Sequence, residues 1–279
     1  MNAIMRRSVS LTGALAGAAI AILSCQEKSS PTSGEPGAPN DTIPTPAGWM
    51  LVWNDEFSGP RIDSTKWTHE VNDYGGGNNE LQYYTARPEN SFIEDGSLVI
   101  QARKEPYLTR QYTSARMITR LKGDWRYGRF EIKAQLPYGK GLWPAIWMMP
   151  TDSEYGGWPS SGEIDIMELL GHEPWKTYGT IHFGTSPATR QQSGGSYTLP
   201  AGTFAGGFNV FALEWDSTQI RWYVNDVKYY QASIGPPFDK RFFMILNVAV
   251  GGNWPGNPDE FTVFPQRMTI DYVRVFRRK

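Results

Sequence analysis

The sequence predicts an all-β protein, a sandwich or barrel of antiparallel strands. Many short segments carry β-branched and aromatic residues and are bounded by Gly, Pro, Asn or Asp. Two of them alternate cleanly between apolar and polar residues. No long stretch of the 279 residues has convincing helical periodicity.

The strands follow in chain order. Residues 49–54 open the folded block. In 97–103, Leu98, Ile100 and Ala102 share one face. Segment 113–120 comes next, and then 128–136, where Phe130, Ile132, Ala134 and Leu136 oppose Glu131, Lys133 and Gln135. Segment 142–149 puts Trp143 and Trp147 on one face. Segment 162–170 is read as a strand because Pro159 and Gly162 precede it, Gly171 follows, and a helix this short would be unusual. The remaining strands are 177–184, 208–216, 219–224, 241–250 and 267–276. One bent sheet would expose a row of side chains in a groove. Trp143 and Trp147 are expected in that groove, and Trp215 and Trp222 in the core.

Residues 48–279 form one block without internal repeats, a size suited to one sandwich domain. Before it, residues 1–24 have the layout of an export signal: Arg6 and Arg7, then an uncharged stretch rich in Ala, Leu, Ile and Gly. Cys25, the only cysteine, closes that stretch and is the expected lipidation site of a bacterial lipoprotein. Gln26 after it resembles outer-membrane sorting. Residues 25–47 are rich in Ser, Pro, Gly and Thr and read as a flexible tether. Membrane contact is expected only through the lipid, and no disulfide is available to the domain.

Formal net charge is −1, from 27 basic and 28 acidic residues, which argues against a nucleic-acid surface. The chain holds 11 Trp, 14 Tyr and 13 Phe, enough both for a β core and for a sugar-stacking cleft. Zinc-protease, phosphate-loop and nucleophile-elbow patterns are each incomplete: His172-Glu173 lacks a second His, Gly75-Gly76-Gly77 lacks a Lys, and Gly184-Thr185-Ser186-Pro187-Ala188 lacks its last Gly.

The chemistry concentrates in Glu163-Ile164-Asp165-Ile166-Met167-Glu168. Alternation places Glu163 and Asp165 on one face and the isoleucines on the other. It would also drive Glu168 into the isoleucine face, at high cost. One extra residue near Met167, a β-bulge, returns Glu168 to the acids. Three carboxylates so placed cannot all ionise cheaply, so at least one holds a proton near neutral pH. A protonated acid beside an ionised one suits glycosidic bond cleavage. A calcium site is the rival reading. A solvent-facing acidic strand fits poorly with the apolar flanks.

At these residues the chain resembles glycoside hydrolase family 16, and its laminarinase-like endo-β-1,3-glucanases in particular. The resemblance runs through Trp53-Asn54-Asp55-Glu56-Phe57, Asn78-Asn79-Glu80-Leu81-Gln82-Tyr83-Tyr84-Thr85, Trp143-Pro144-Ala145-Ile146-Trp147, the acidic run, Gly179-Thr180-Ile181-His182 and Asn253-Trp254-Pro255-Gly256. It implies a concanavalin A-like jelly-roll β-sandwich with an open substrate cleft on its concave sheet. It makes Glu163 the nucleophile, Glu168 the general acid/base and Asp165 their helper, in retaining cleavage of internal β-1,3 bonds of laminarin-type glucans. By the same resemblance Trp143, Trp147 and Trp254 line sugar subsites. Arg116, Asn79 and Asn253 bind the sugar, and His182 sits near the scissile bond. Arg116 could instead only pair with a carboxylate, and Asn79 could only brace a turn. No cofactor is implied for catalysis. A structural Ca²⁺ is, on Glu56, the backbone of Gly96 and Asp271, with a plain ion pair as the alternative. A monomer is expected. A glucan-binding module with a dead cleft, a galactan-cleaving relative and a transglycosylase stay open. Two departures from the pattern are Leu169-Leu170, where an aromatic is common, and Asn225-Asp226, where Asp-Gly is usual.

Overall fold

Eighteen strands account for the regular structure of the computed structural model, which describes residues 43–279. They are β1 (Trp49–Asp55), β2 (Thr68–His69), β3 (Gln82–Tyr84), β4 (Ser91–Glu94), β5 (Ser97–Tyr107), β6 (Arg110–Ser114), β7 (Arg116–Ile118), β8 (Asp124–Trp125) and β9 (Gly128–Gln135). The second half comprises β10 (Leu142–Pro150), β11 (Glu163–Leu169), β12 (Lys176–Phe183), β13 (Gln191–Thr198), β14 (Asn209–Trp215), β15 (Gln219–Val224), β16 (Val227–Ser233), β17 (Phe242–Val250) and β18 (Gln266–Arg278). Two short 3₁₀ turns, Gly75–Gly77 and Pro187–Thr189, are the only helical segments among the described residues. The expected export signal, Cys25 and the tether as far as residue 42 lie outside the described residues.

The strands form two sheets. One runs β16-β15-β14-β9-β18-β5-β6-β3, with β1 also beside β18 and β4 beside β5. The other runs β13-β12-β11-β10-β17-β7-β2, with β8 also beside β17. Each strand expected from the sequence is present, most with ends moved by a residue or two. The exception is 113–120. It breaks at Ala115, because β6 pairs with β5 in the first sheet while β7 pairs with β17 in the second. The edge strand β13 was not legible. Its sequence, Gln191-Gln192-Ser193-Gly194-Gly195-Ser196-Tyr197-Thr198, has no apolar face and is held by its ladder to β12.

Between the sheets lies one continuous core. Leu98, Ile100, Phe130, Ile132, Phe211, Leu213, Trp215 and Trp222 face Leu142, Ile146, Met148, Ile164, Leu246 and Val248. Trp215 and Trp222 are core residues, as expected. In the β15–β16 hairpin, Asn225 and Asp226 both take positive φ, 48° and 64°. A tight hairpin turn of the primed kind needs that conformation, and Asn and Asp tolerate it.

The bulge falls where the carboxylates required it. On β12, Asp165 pairs with Thr180 and Glu168 with Tyr178, so three steps on β11 face two on its neighbour. On β10, Ile146 pairs with Met167 and Trp147 with Asp165. The surplus residue is absorbed at Ile166-Met167. Ile164, Ile166, Met167 and Leu169 all point into the core, which strict alternation forbids. A tryptophan from the opposite sheet pins the distorted backbone: Trp222 Nε1 donates to the Asp165 carbonyl at 2.8 Å. Gly179 on β12 leaves room for that indole. A Cβ there would lie 2.3 Å from Trp222 Cδ1 and 2.5 Å from the Tyr229 hydroxyl. Gly179→Ala should therefore push Trp222 away from the bulge and cost about 1–3 kcal/mol by overpacking. Chemical denaturation and kcat/KM read the two effects, and a variant as stable and active as the parent would contradict the account.

Candidate active site

A cleft of about 980 Å³ crosses the outer face of the second sheet. Six adjacent strands, β13, β12, β11, β10, β17 and β7, supply its floor. The cross-strand register sets side chains in rows. One row is Asn247, Ala145, Glu168, Tyr178 and Ser196. A second holds Trp147, Asp165, Thr180 and Gly194, and a third pairs Glu163 with His182 and Gln192. All three acids of the run thus face the cleft. The loops bearing Tyr74, Asn78, Trp158, Asn253 and Trp254 complete the walls.

Asp165 is only 2% exposed. Its Oδ2 is buried and makes no hydrogen bond among the described residues. His182 Nε2 stands 3.3 Å from that oxygen and 3.8 Å from Glu163 Oε1. Glu168 Oε1 accepts from Trp143 Nε1 at 3.1 Å. Burial, followed by the charge of Asp165, pushes Glu163 up to about 8 against the pull of His182 and Arg116. Burial likewise pushes Asp165 up to about 8, opposed by a hydrogen bond with Glu163 and by Arg190. Glu168 is raised well above the usual carboxylate range by burial and by its two acidic neighbours. His182 moves the other way: burial lowers it, so it is neutral near pH 7. The three carboxyls titrate as a group, and protons are retained among them at neutral pH.

The walls are aromatic. Trp254 meets Trp143 edge-on with centroids 5.6 Å apart and Tyr178 at 5.0 Å. Trp147 carries the Arg116 guanidinium 4.8 Å above its ring, and Arg116 Nε reaches Glu70 at 2.6 Å. From Trp147 a chain of donors runs inward: its Nε1 to Asn247 Oδ1 at 2.7 Å, Asn247 Nδ2 to the Tyr84 hydroxyl at 3.0 Å, and that hydroxyl to Glu80 Oε2 at 3.3 Å.

Trp143, Trp147, Trp254, Arg116, His182 and Asn253 all line the cleft. Asn79 does not. Its Nδ2 donates to Asn253 Oδ1 at 2.8 Å and its φ is +58°, which fits the alternative reading of Asn79 as a brace, here for a residue that faces the cleft. Sequence reasoning missed Tyr178, Trp158, Glu80 and Arg190. The signal for Tyr178 was present, since it shares a strand face with Thr180 and His182. Far from the cleft, β1 and β5 abut end to end along β18. This brings Glu56, Gly96 and Asp271 to one junction. There Glu56 accepts two bonds from Arg274, at 2.9 and 2.7 Å, and Asp271 pairs with Lys133 at 2.7 Å.

A two-sheet sandwich with an aromatic cleft over three buried carboxyls is the equipment of a glycoside hydrolase. The family described as glycosyl hydrolases family 16 matches residues 78–274. The chain is 47% identical over 246 residues to a beta-glucanase from Rhodothermus marinus, covering 82% of this chain and 85% of that protein. It is 45% identical over 250 residues to a glucan endo-1,3-beta-glucosidase from Cryptopygus antarcticus, covering 81% and 91%. The crystal structure of the laminarinase catalytic domain from Thermotoga maritima superposes with a TM-score of 0.78 at 46% identity, covering 83% of this chain and 99% of that one. The chain belongs to glycosyl hydrolase family 16 and has its jelly-roll fold.

Burying acids with raised pKa has a consequence for stability. Unfolded, Glu163 ionises near 4.5; folded, it does so near 8. Between those values the unfolded state has released a proton that the folded state keeps, so this group's contribution to stability is lost as pH rises through the window. Gln has no proton to lose. The Tm of Glu163→Gln relative to the parent should therefore climb steadily from pH 5 to pH 8. A difference that is flat or falls with pH would refute the burial argument.

Proposed function

We propose that the protein is an endo-acting hydrolase of β-1,3-glucans that works with retention of configuration. The observation that carries the reading is the row of three cleft-facing carboxylates with retained protons, in a chain whose relatives are named as β-glucanases and laminarinases. A glucan chain lies across the six-strand floor, its sugar faces against Trp143, Trp147 and Trp254. In the protonation state of the group that leaves Glu163 ionised and Glu168 protonated, Glu163 attacks the anomeric carbon while Glu168 gives its proton to the departing oxygen. The resulting glycosyl-enzyme ester is then opened by water, whose proton returns to Glu168. Asp165, between them, holds the orientation of Glu163 and takes part in apportioning the protons. The Trp143 indole on Glu168 Oε1 fixes the acid toward the cleft.

The pattern of Arg6, Arg7, the uncharged stretch and Cys25 supports an exported lipoprotein held at the outer membrane. The junction of Glu56, Gly96 and Asp271 offers oxygen donors of the kind calcium takes. The ion, exchanged for the Arg274 and Lys133 contacts, would be a structural tie between the ends of β1 and β5 and no part of the reaction.

Glu163→Gln and Glu168→Gln should each lower reducing-end release from laminarin by about 10²–10⁴-fold or more. Near-parental activity in either variant would end the assignment. Glucan binding without product in the parent would leave only a binding module, and activity on agar or carrageenan alone would move the substrate to a galactan. Cys25→Ala should shift the protein from the membrane to the soluble fraction of the producing cells, and continued membrane retention would remove the lipid anchor from this picture.

A further inference from the structure

Arg190 takes no step in the reaction, yet its charge is felt at Asp165 and its guanidinium contacts His182. It follows the 3₁₀ turn Pro187–Thr189 and lines the cleft. Its Nη1 stands 3.3 Å from His182 Nδ1. A guanidinium donates and never accepts, so Nδ1 presents its lone pair to Arg190. A neutral imidazole carries one proton, which is then on Nε2. That nitrogen faces Asp165 Oδ2 at 3.3 Å and Glu163 Oε1 at 3.8 Å. The other tautomer would turn a lone pair toward two carboxylates and an N–H toward a cation, repulsive at both ends.

We propose that Arg190 is a positioning residue that locks His182 as its Nε2–H tautomer, so that the N–H edge of the ring, and not a lone pair, faces the Glu163–Asp165 pair. The charged groups facing His182 are Glu163, Asp165 and Glu168 from β11 and Arg190 from the segment before β13; its ladder partner on β13, Gln192, is uncharged. The lock has a second effect. Glu163, Asp165 and His182 place three ligand atoms within 4.8 Å of one another, a set that a borderline cation such as Zn²⁺ accepts. Metal binding at Nε2 needs its lone pair and a proton on Nδ1, which Arg190 opposes. Arg190 therefore also keeps a transition metal off the acids.

The kinetic part rests on the catalytic roles given above, whereas the tautomer belongs to the resting protein, so the two can fail separately. The full chain holds three histidines, so selective ¹⁵N-histidine labelling resolves the tautomer of each by NMR, with His182→Gln as the assignment control. The parent should show His182 neutral and protonated on Nε2. Arg190→Met should give mixed tautomers, lower kcat about five- to tenfold with KM little changed, and tighten Zn²⁺ inhibition by about tenfold. Arg190→Lys, which keeps a donor, should restore all three. A parent His182 protonated on Nδ1, or an Arg190→Met protein that keeps the Nε2–H form, overturns the proposal. So does a rise in KM at constant kcat, which would make Arg190 a sugar contact. A parent inactive on laminarin would sink the catalytic reading and leave the NMR result standing.

Discussion

The site depends on one irregularity, the surplus residue that β11 carries at Ile166-Met167. A sheet strand has a period of two, and two demands on this strand conflict with it. The core needs Ile164, Ile166, Met167 and Leu169, and the cleft needs Glu163, Asp165 and Glu168. The bulge satisfies both by letting two consecutive side chains face inward. It also sets the spacing of the acids, because Glu168 drops into the row of Ala145 and Tyr178 and not the next one along. Everything else in the cleft is arranged around positions fixed at that point.

The same placement makes the acids unstable as a charged set and useful for that reason. Burial raises all three, the charge of Asp165 raises both glutamates further, and that of Glu163 adds to Glu168. Only partial relief comes from Trp143 on Glu168 and from His182 near Asp165. A solvated trio would lose its protons by pH 5 and have nothing to give a leaving group. Here desolvation keeps an acid protonated where a free glutamate would be ionised, and the fold bears the loss of stability as pH rises.

Much of this was legible because the sequence contained a contradiction. Three acids among isoleucines cannot all be satisfied by plain alternation, and the bulge was the one local remedy. The alternating strands β5 and β9 were readable for a simpler reason, their regular apolar face. What escaped was whatever depends on pairing across the chain. β13 has almost no apolar residue to announce it: its ladder to β12 and the contacts of Ser193 and Tyr197 with Tyr230 and Tyr229 of β16 hold it. Ala115 ends a strand because its neighbours on either side join different sheets. The partner of Asn79, 174 positions away, could not be read from the sequence. Arg190 lies in a loop segment without a motif, and only its place in the folded cleft, beside one ring nitrogen and near Asp165, distinguishes it.

The indole of Trp222 crosses the interior to hold the Asp165 carbonyl, so catalytic geometry is tied to the gap between the layers. Any change in the packing of the interior around this strut therefore reaches the acids on the far side of the sheet. A route to hardier variants lies in tightening the interior around that indole, with the rim of the cleft left alone.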